Sequence, residues 1–198
     1  MKSNPKGFQL AELSVALAVL VLMVLLGAPS LLQSTADMRL HLAAYELVGV
    51  LRLARVSALR LDANVAVKFR TAQNGAVTFT LYRDGNGNGV LNRDITSGAD
   101  PQIEPARRLD NLGRGVGFGF PPGPPPADPS SPGHLLAPTD PIRFNSSDLA
   151  SFSALGTSTP GSLYLTDGVK RLLAVRVANR AGKVRILTYV PERRIWRD

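Results

Sequence analysis

The sequence contains no cysteine. Disulfides, thiolate metal sites and a lipoprotein attachment point are therefore excluded, and thiols give no sign of the redox compartment. Histidine is scarce: His41 and His134 are the two in the chain, far apart in sequence, and each reads as a surface residue. No nucleophile–base pair, phosphate loop or zinc spacing occurs. These absences argue for binding or assembly rather than catalysis, and no enzyme is expected. Long apolar runs are also missing, with one exception at the N-terminal end.

That exception runs from Leu13 to Ala28 with Ser14 as its one polar residue. Lys2 and Lys6 precede it and Pro29-Ser30 follows. From Phe8 to Leu32 a helix would reach roughly 37 Å at 1.5 Å per residue, enough to cross a bilayer core of about 30 Å with some tilt. The basic residues would stay in the cytoplasm and everything after Leu32 would lie outside. Glu12, at the head of the run, needs a partner, because a carboxylate at membrane depth costs about 2–3 kcal/mol. Lys6-Gly7-Phe8-Gln9-Leu10-Ala11-Glu12 resembles the cleavage site of type IV prepilins and type II secretion pseudopilins. The resemblance implies a prepilin peptidase that cuts after Gly7 and methylates the new N-terminus at Phe8. It also implies that Glu12 pairs with the N-terminal ammonium of a neighbouring subunit, and that Pro29 kinks the helix. An ordinary signal peptide shares the basic start and apolar middle. Against it stand Glu12, the length of the run, and Pro29 directly after Gly27-Ala28, where proline disfavours signal peptidase.

Beyond Pro29, Leu40, Ala44, Leu47, Leu51, Ala54, Ala58 and Leu61 recur at spacings of three and four, which predicts one apolar helix face. The helix is expected to run nearly unbroken from Phe8 to Leu61, to end near Asp62 and Asn64, and to pack its second half on a sheet. Strands are expected at 65–70 and 76–82. A three-residue loop at Gln73-Asn74-Gly75, with Gly75 left-handed, would pair Phe69 with Phe79 and Val67 with Leu81, keeping the apolar faces together. Further short strands are expected at 113–119, at Ile142-Arg143-Phe144 and at Phe152. Pro121 to Pro132 reads as an exposed proline-rich spacer, with a partner-binding polyproline segment as the alternative.

Asp84-Gly85-Asn86-Gly87-Asn88-Gly89 matches the opening of a calcium loop, with oxygen ligands at alternate positions around a glycine bend. Asp84, Asn86, Asn88 and Asp94 are the candidate calcium ligands. The bidentate Glu of that motif is absent, Ile95 standing in its place, so a glycine-rich turn is the preferred reading and no other cofactor is expected.

Charge is unevenly placed. Residues 170–198 carry nine Lys/Arg against two Asp/Glu, whereas residues 1–169 are nearly balanced at fourteen against thirteen. The alternation of Leu173, Val175 and Val177, and of Val184 and Ile186, predicts a final hairpin. A four-residue turn at Asn179–Gly182 would set Arg176 opposite Arg185, where like charges repel unless an acid or anion lies between them. Such basicity suits a polyanion or a solvated strand pair equally.

Two further stretches carry the resemblance. Phe152-Ser153-Ala154-Leu155-Gly156, followed by Gly161-Ser162-Leu163-Tyr164-Leu165, resembles the middle of GspH/FimT-type pseudopilins. Gly182-Lys183-Val184-Arg185 is similar to their G-R-x-R motif, linked in that family to DNA binding, with Lys183 in place of the first arginine. The resemblance implies an α+β fold: a long N-terminal pilin-type helix, its first half membrane-spanning and its second half amphipathic, packed on antiparallel β-sheets. The implied division is a leader at 1–7, a transmembrane or filament-core helix at 8–32, an amphipathic helix at 33–62 and a β-rich domain at 63–198, with Gly/Pro-rich loops at 84–115 and 121–133. The implied role is a minor pseudopilin of a type II secretion pseudopilus or type IV pilus. Its partners would be prepilin peptidase, other major and minor pseudopilins or pilins, and the bacterial inner membrane, with its globular domain periplasmic. The alternative is a DNA-binding minor pilin for uptake, using Arg176, Lys183, Arg185, Arg193, Arg194 and Arg197.

Overall fold

The computed structural model describes residues 5–72, 76–109, 115–131 and 133–198; of 5–9 and 27–33 it describes the backbone. The expected Gln73–Gly75 loop with its left-handed Gly75, and the start of the strand expected at 113–119, lie outside the described residues. The chain divides into two compact units, Met1–Met38 and Arg39–Asp198.

Helix α1 (Pro5–Leu61) has 57 residues, and its backbone stays helical through Pro29. Its end is marked by Asp62 in the left-handed region, with Ala63 N–H bonded to the Ala58 carbonyl at 3.2 Å. That is the usual way a helix closes its last open carbonyls. In the first unit the expectation of a membrane-spanning half is corrected: among the described residues no helix is long and apolar enough to cross a membrane.

In the second unit the 3.6-residue period holds. Leu40, Ala44, Leu47, Leu51, Ala54 and Ala58 are all fully buried, while Leu61 is partly buried against the same cluster. The strands that follow form two antiparallel sheets. The first has four strands in the order β3-β2-β1-β6, namely β3 (Arg107–Arg108), β2 (Val77–Arg83), β1 (Val65–Thr71) and β6 (Leu149–Phe152). Its register pairs Phe69 with Phe79 and Val67 with Leu81, as the apolar alternation requires. The second has six in the order β10-β9-β8-β7-β4: β10 (Ile195–Arg197), β9 (Val184–Val190), β8 (Leu172–Val177), β7 (Gly161–Thr166) and β4 (Gly117–Phe118). Strand β5 (Ile142–Arg143) pairs with the other stretch of the same β7 edge.

One apolar cluster joins the helix stripe to both sheets, drawing Val67, Phe79 and Phe152 from the first and Leu163, Val175 and Val177 from the second. Each sheet then has an outer face that needs separate cover. On the first, Ala66 and Leu149 are covered by Val90 and Ile95, the latter from the short helix α2 (Asn92–Ser97). On the second, Tyr164, Leu172 and Ala174 are covered by Leu136 and Phe120.

The proline-rich segment is exposed, as a spacer would be, at 122–125 and 130–131, but at 126–129 it is buried or half-buried. It straps the outer face of the six-stranded sheet, with Pro126 and Leu136 buried. The Trp196 indole N–H donates to the Ala127 carbonyl at 2.7 Å, and the Trp196 ring packs on Tyr189 and Tyr164 at centroid distances of 5.0 and 5.9 Å. Prolines lose little entropy on being fixed, so a short apolar contact holds them.

Leu51→Ala should lower the unfolding free energy by about 2–5 kcal/mol, the cost of a cavity in a filled core. Tyr45→Ala, at a residue 63% exposed on the same helix, should stay within about 0.5 kcal/mol. Denaturant melts that gave the two variants equal losses would contradict the placement of the stripe.

Candidate functional site

Three places carry the residues singled out in the sequence. At the N-terminal motif, Gly7 and Phe8 sit in helical backbone, and their side chains lie outside the described residues. Glu12 is exposed. Around it, twelve large apolar side chains between Leu10 and Leu26 are exposed, Leu13 at 68% and Leu26 at 79%. Ser14 hides its hydroxyl by donating to the Leu10 carbonyl at 2.8 Å. Apolar residues thus surround the helix rather than forming a single stripe, a pattern that is stable in water only when other apolar surface encloses it.

At the 84–94 loop the structure brings the four calcium candidates together, as a hydrogen-bonded knot. The Asp84 carboxylate accepts from the backbone N–H groups of Asn86, Gly87 and Gly89 at 3.2, 2.7 and 2.7 Å, and from the Asn64 amide at 2.8 Å. Asn86 and Asn88 donate their amides to Asp94 at 3.2 and 2.9 Å. Asp100, buried, takes the N–H groups of Gly85 and Leu91 at 3.1 and 2.9 Å. A Cβ on Gly85 would lie 1.9 Å from the Ala99 carbonyl oxygen, so the loop closes only with glycine there. Burial pushes the Asp84 carboxyl up, but the four hydrogen bonds outweigh it and hold the group below the usual carboxylate range. Asp94 is also held low, first by the Asn88 and Asn86 amides. Among the described residues no group of three or more acids and histidines could hold a metal. The carboxylates are spent on the chain's own donors, and the knot acts as the cover over the first sheet.

At the basic end, Arg176 does lie opposite Arg185 in the β8–β9 register, and each charge is dealt with separately. The Arg185 guanidinium pairs with the Asp198 carboxylate at 2.8 Å. Arg176 turns under the strap and donates to the Pro129 carbonyl at 2.5 Å. The other candidates, Lys183, Arg193, Arg194 and Arg197, are exposed and share no single site with Arg176. Sequence reasoning missed the strap and its latch at Trp196. The available signal was the lone tryptophan near a run of prolines in composition, though 69 residues separate it from Ala127.

No family model, curated protein or solved structure matches the chain.

Asp84→Ala should cost roughly 1–3 kcal/mol at neutral pH, since it removes the charged acceptor of four hydrogen bonds that close the loop. A carboxyl whose pKa is depressed on folding stabilises above its unfolded pKa of about 3.9 and loses that contribution as pH falls through the folded value. The gap between wild type and Asp84→Ala in thermal melts should therefore narrow below about pH 4. A gap constant down to the acid limit would contradict the carboxylate's role.

Proposed function

We propose that the chain is a structural assembly subunit of the minor pseudopilin type, working in a type II secretion pseudopilus or type IV pilus. One observation carries this reading: a helix apolar on every side, exposed from Leu10 to Leu26, with a lone carboxylate, Glu12, at its head. Such a surface needs cover along its whole circumference, and neighbouring helices of like composition supply it. Glu12 would then find its counter-charge on the N-terminal amine of a neighbour, which sets the axial register of one helix against the next. That amine exists at Phe8 only after cleavage behind Gly7, so prepilin peptidase and other pseudopilins are the proposed partners. The globular unit, built of two sheets on one helix stripe, would stand on the outside of the filament, away from the cytoplasm. The work is assembly and binding, and it calls on no catalytic group and no cofactor.

Co-expression with a prepilin peptidase should yield a mature chain that starts at methylated Phe8, read by intact-mass spectrometry. Glu12→Ala should be processed normally yet fail to cross-link to its neighbours in the filament. A chain left uncut by an active peptidase would overturn the proposal.

The second reading, DNA binding, draws on Lys183, Arg193, Arg194 and Arg197, which are exposed and have no ion-pair partner among the described residues. Binding to duplex DNA should then weaken with salt at a log–log slope of about 0.9 per phosphate contact. Arg193→Ala with Arg194→Ala should flatten that slope, whereas Arg176→Ala should leave it unchanged, because Arg176 is held under the strap. Absence of binding at low salt would remove this reading.

A further inference from the structure

Between Arg39 and Arg60, helix α1 carries two apolar faces. One is the stripe buried against the sheets. The other turns away from them: Leu42, Tyr45, Leu53, Val56 and Leu59 are between 39% and 63% exposed, and all belong to the second unit. At about 100° per residue they fall on one arc of the helix, opposite Leu40, Leu47 and Leu51. A single exposed leucine is ordinary on a protein surface, but five large apolar side chains along one line call for cover.

The spacing along that arc is that of a helix seam. Leu42, Tyr45, Gly49, Arg52, Val56 and Leu59 step by three and four in alternation, as the facing positions of a coiled coil do. Gly49 stands at the middle of the seam, exposed, and outside the helix nothing lies within 4 Å of where a Cβ would sit. A partner backbone can come close there. Arg52 puts a charge into the seam itself. Residues 39–60 hold four arginines against one carboxylate, Glu46. Glu46 pairs with Arg107 at 3.6 Å and is mostly buried, while Arg55 lies half-buried beside Gly182. Arg39, Arg52 and Arg60 are left exposed, with no ion-pair partner among the described residues.

We propose that this face docks a helix of another protein, one with an apolar seam and carboxylates on its flanks. Charge selects the partner. A second copy of this chain would bring arginine to arginine, the segment's one carboxylate being already paired with Arg107, and like charges across a seam drive helices apart. A partner acid opposite Arg52 would instead fix the register, as a lone charged residue in a seam does. An anionic lipid surface fits less well, because a narrow seam with glycine at its centre leaves a gap against lipid that a helix fills. This inference stands apart from the assembly reading: Glu12 and the surface up to Leu26 take no part in it, so a chain left uncut by prepilin peptidase would leave it untouched.

The full chain in non-ionic detergent micelles would be titrated against labelled helical peptides of about three heptads, following fluorescence anisotropy. Each peptide carries leucine along its seam; one has glutamate on the flanks and at one seam position, the other lysine at the same places. The glutamate peptide should bind saturably and roughly tenfold or more tighter than the lysine peptide. Arg52→Glu should narrow or reverse that preference. Leu42→Gln with Val56→Gln should abolish binding at a little-changed melting temperature, since both side chains already meet water. Equal binding of the two peptides, binding of neither, or a preference unaltered by Arg52→Glu would overturn the proposal. So would a dimer of this chain that the double substitution dissolves, which would make a second copy the occupant. Binding to phosphatidylglycerol vesicles that the double substitution removes would likewise overturn it and assign the face to a membrane.

Discussion

The second unit depends on a single stripe of helix being buried against two sheets at once. Leu40, Leu47 and Leu51 fill space, while Ala44, Ala54 and Ala58 let backbones come close. Because one stripe serves both sheets, their inner faces share one apolar cluster, and a fault in the helix would be felt in each. The cost of this economy falls on the outer faces. A sheet with one face against a helix still needs the other shielded wherever it carries Leu149 or Leu172, and no second helix of useful length is present among the described residues. Irregular segments take that role: a glycine-rich knot held by carboxylates on one side, a proline strap held by aromatics on the other. The knot is tied by many hydrogen bonds to its carboxylates and the strap by a few apolar contacts and the Trp196 latch, so both faces are closed without a further sheet or a long helix.

What could be read from the sequence follows from periodicity. The helix stripe, the pairing of Phe69 with Phe79, and the pairing of Arg176 with Arg185 all came from spacing of two or three-to-four, because those repeats are fixed by backbone geometry. The strap could not be found that way. Prolines have no period, and what makes them a cover is a carbonyl at Ala127 meeting an indole far along the chain. The calcium-like loop shows a related limit. Spacing brought Asp84, Asn86, Asn88 and Asp94 to one place correctly, yet whether the oxygens face inward to backbone donors or toward a cation is a matter of side-chain direction that spacing does not carry. The membrane-spanning reading is corrected by the absence, among the described residues, of a helix long and apolar enough to cross a membrane. The two-residue strands β4 and β5 fall within stretches where short strands are expected, 113–119 and 142–144, whereas β3, Arg107–Arg108, gives alternation nothing to register.

The exposed apolar helix and the basic hairpin pull the functional reading in different directions, and the placement of charge decides how they weigh. Two of the six basic candidates are already engaged, Arg185 by Asp198 and Arg176 by Pro129. The rest are spread over a turn and a short terminal strand without a common site. The apolar surface from Val15 to Leu26, by contrast, is continuous, with no polar or charged residue in it. Contiguous exposed apolar area is a far stronger demand on a partner than scattered solvated cations, and assembly is the reading that meets it.

The latch between Trp196 and Ala127 also fixes an order of events. Its two halves are separated by 69 residues, whereas β7, β8 and β9 are successive antiparallel neighbours joined by short turns. Local pairing closes quickly and distant pairing slowly, so the strap is the last piece to settle on that sheet during folding and the first to lift when the protein is stressed. When it lifts, Tyr164, Leu172 and Ala174 meet water while the strands beneath remain paired. The sheet would then be sticky without being unfolded, and a period of vulnerability would attend both the birth and the breakdown of the molecule.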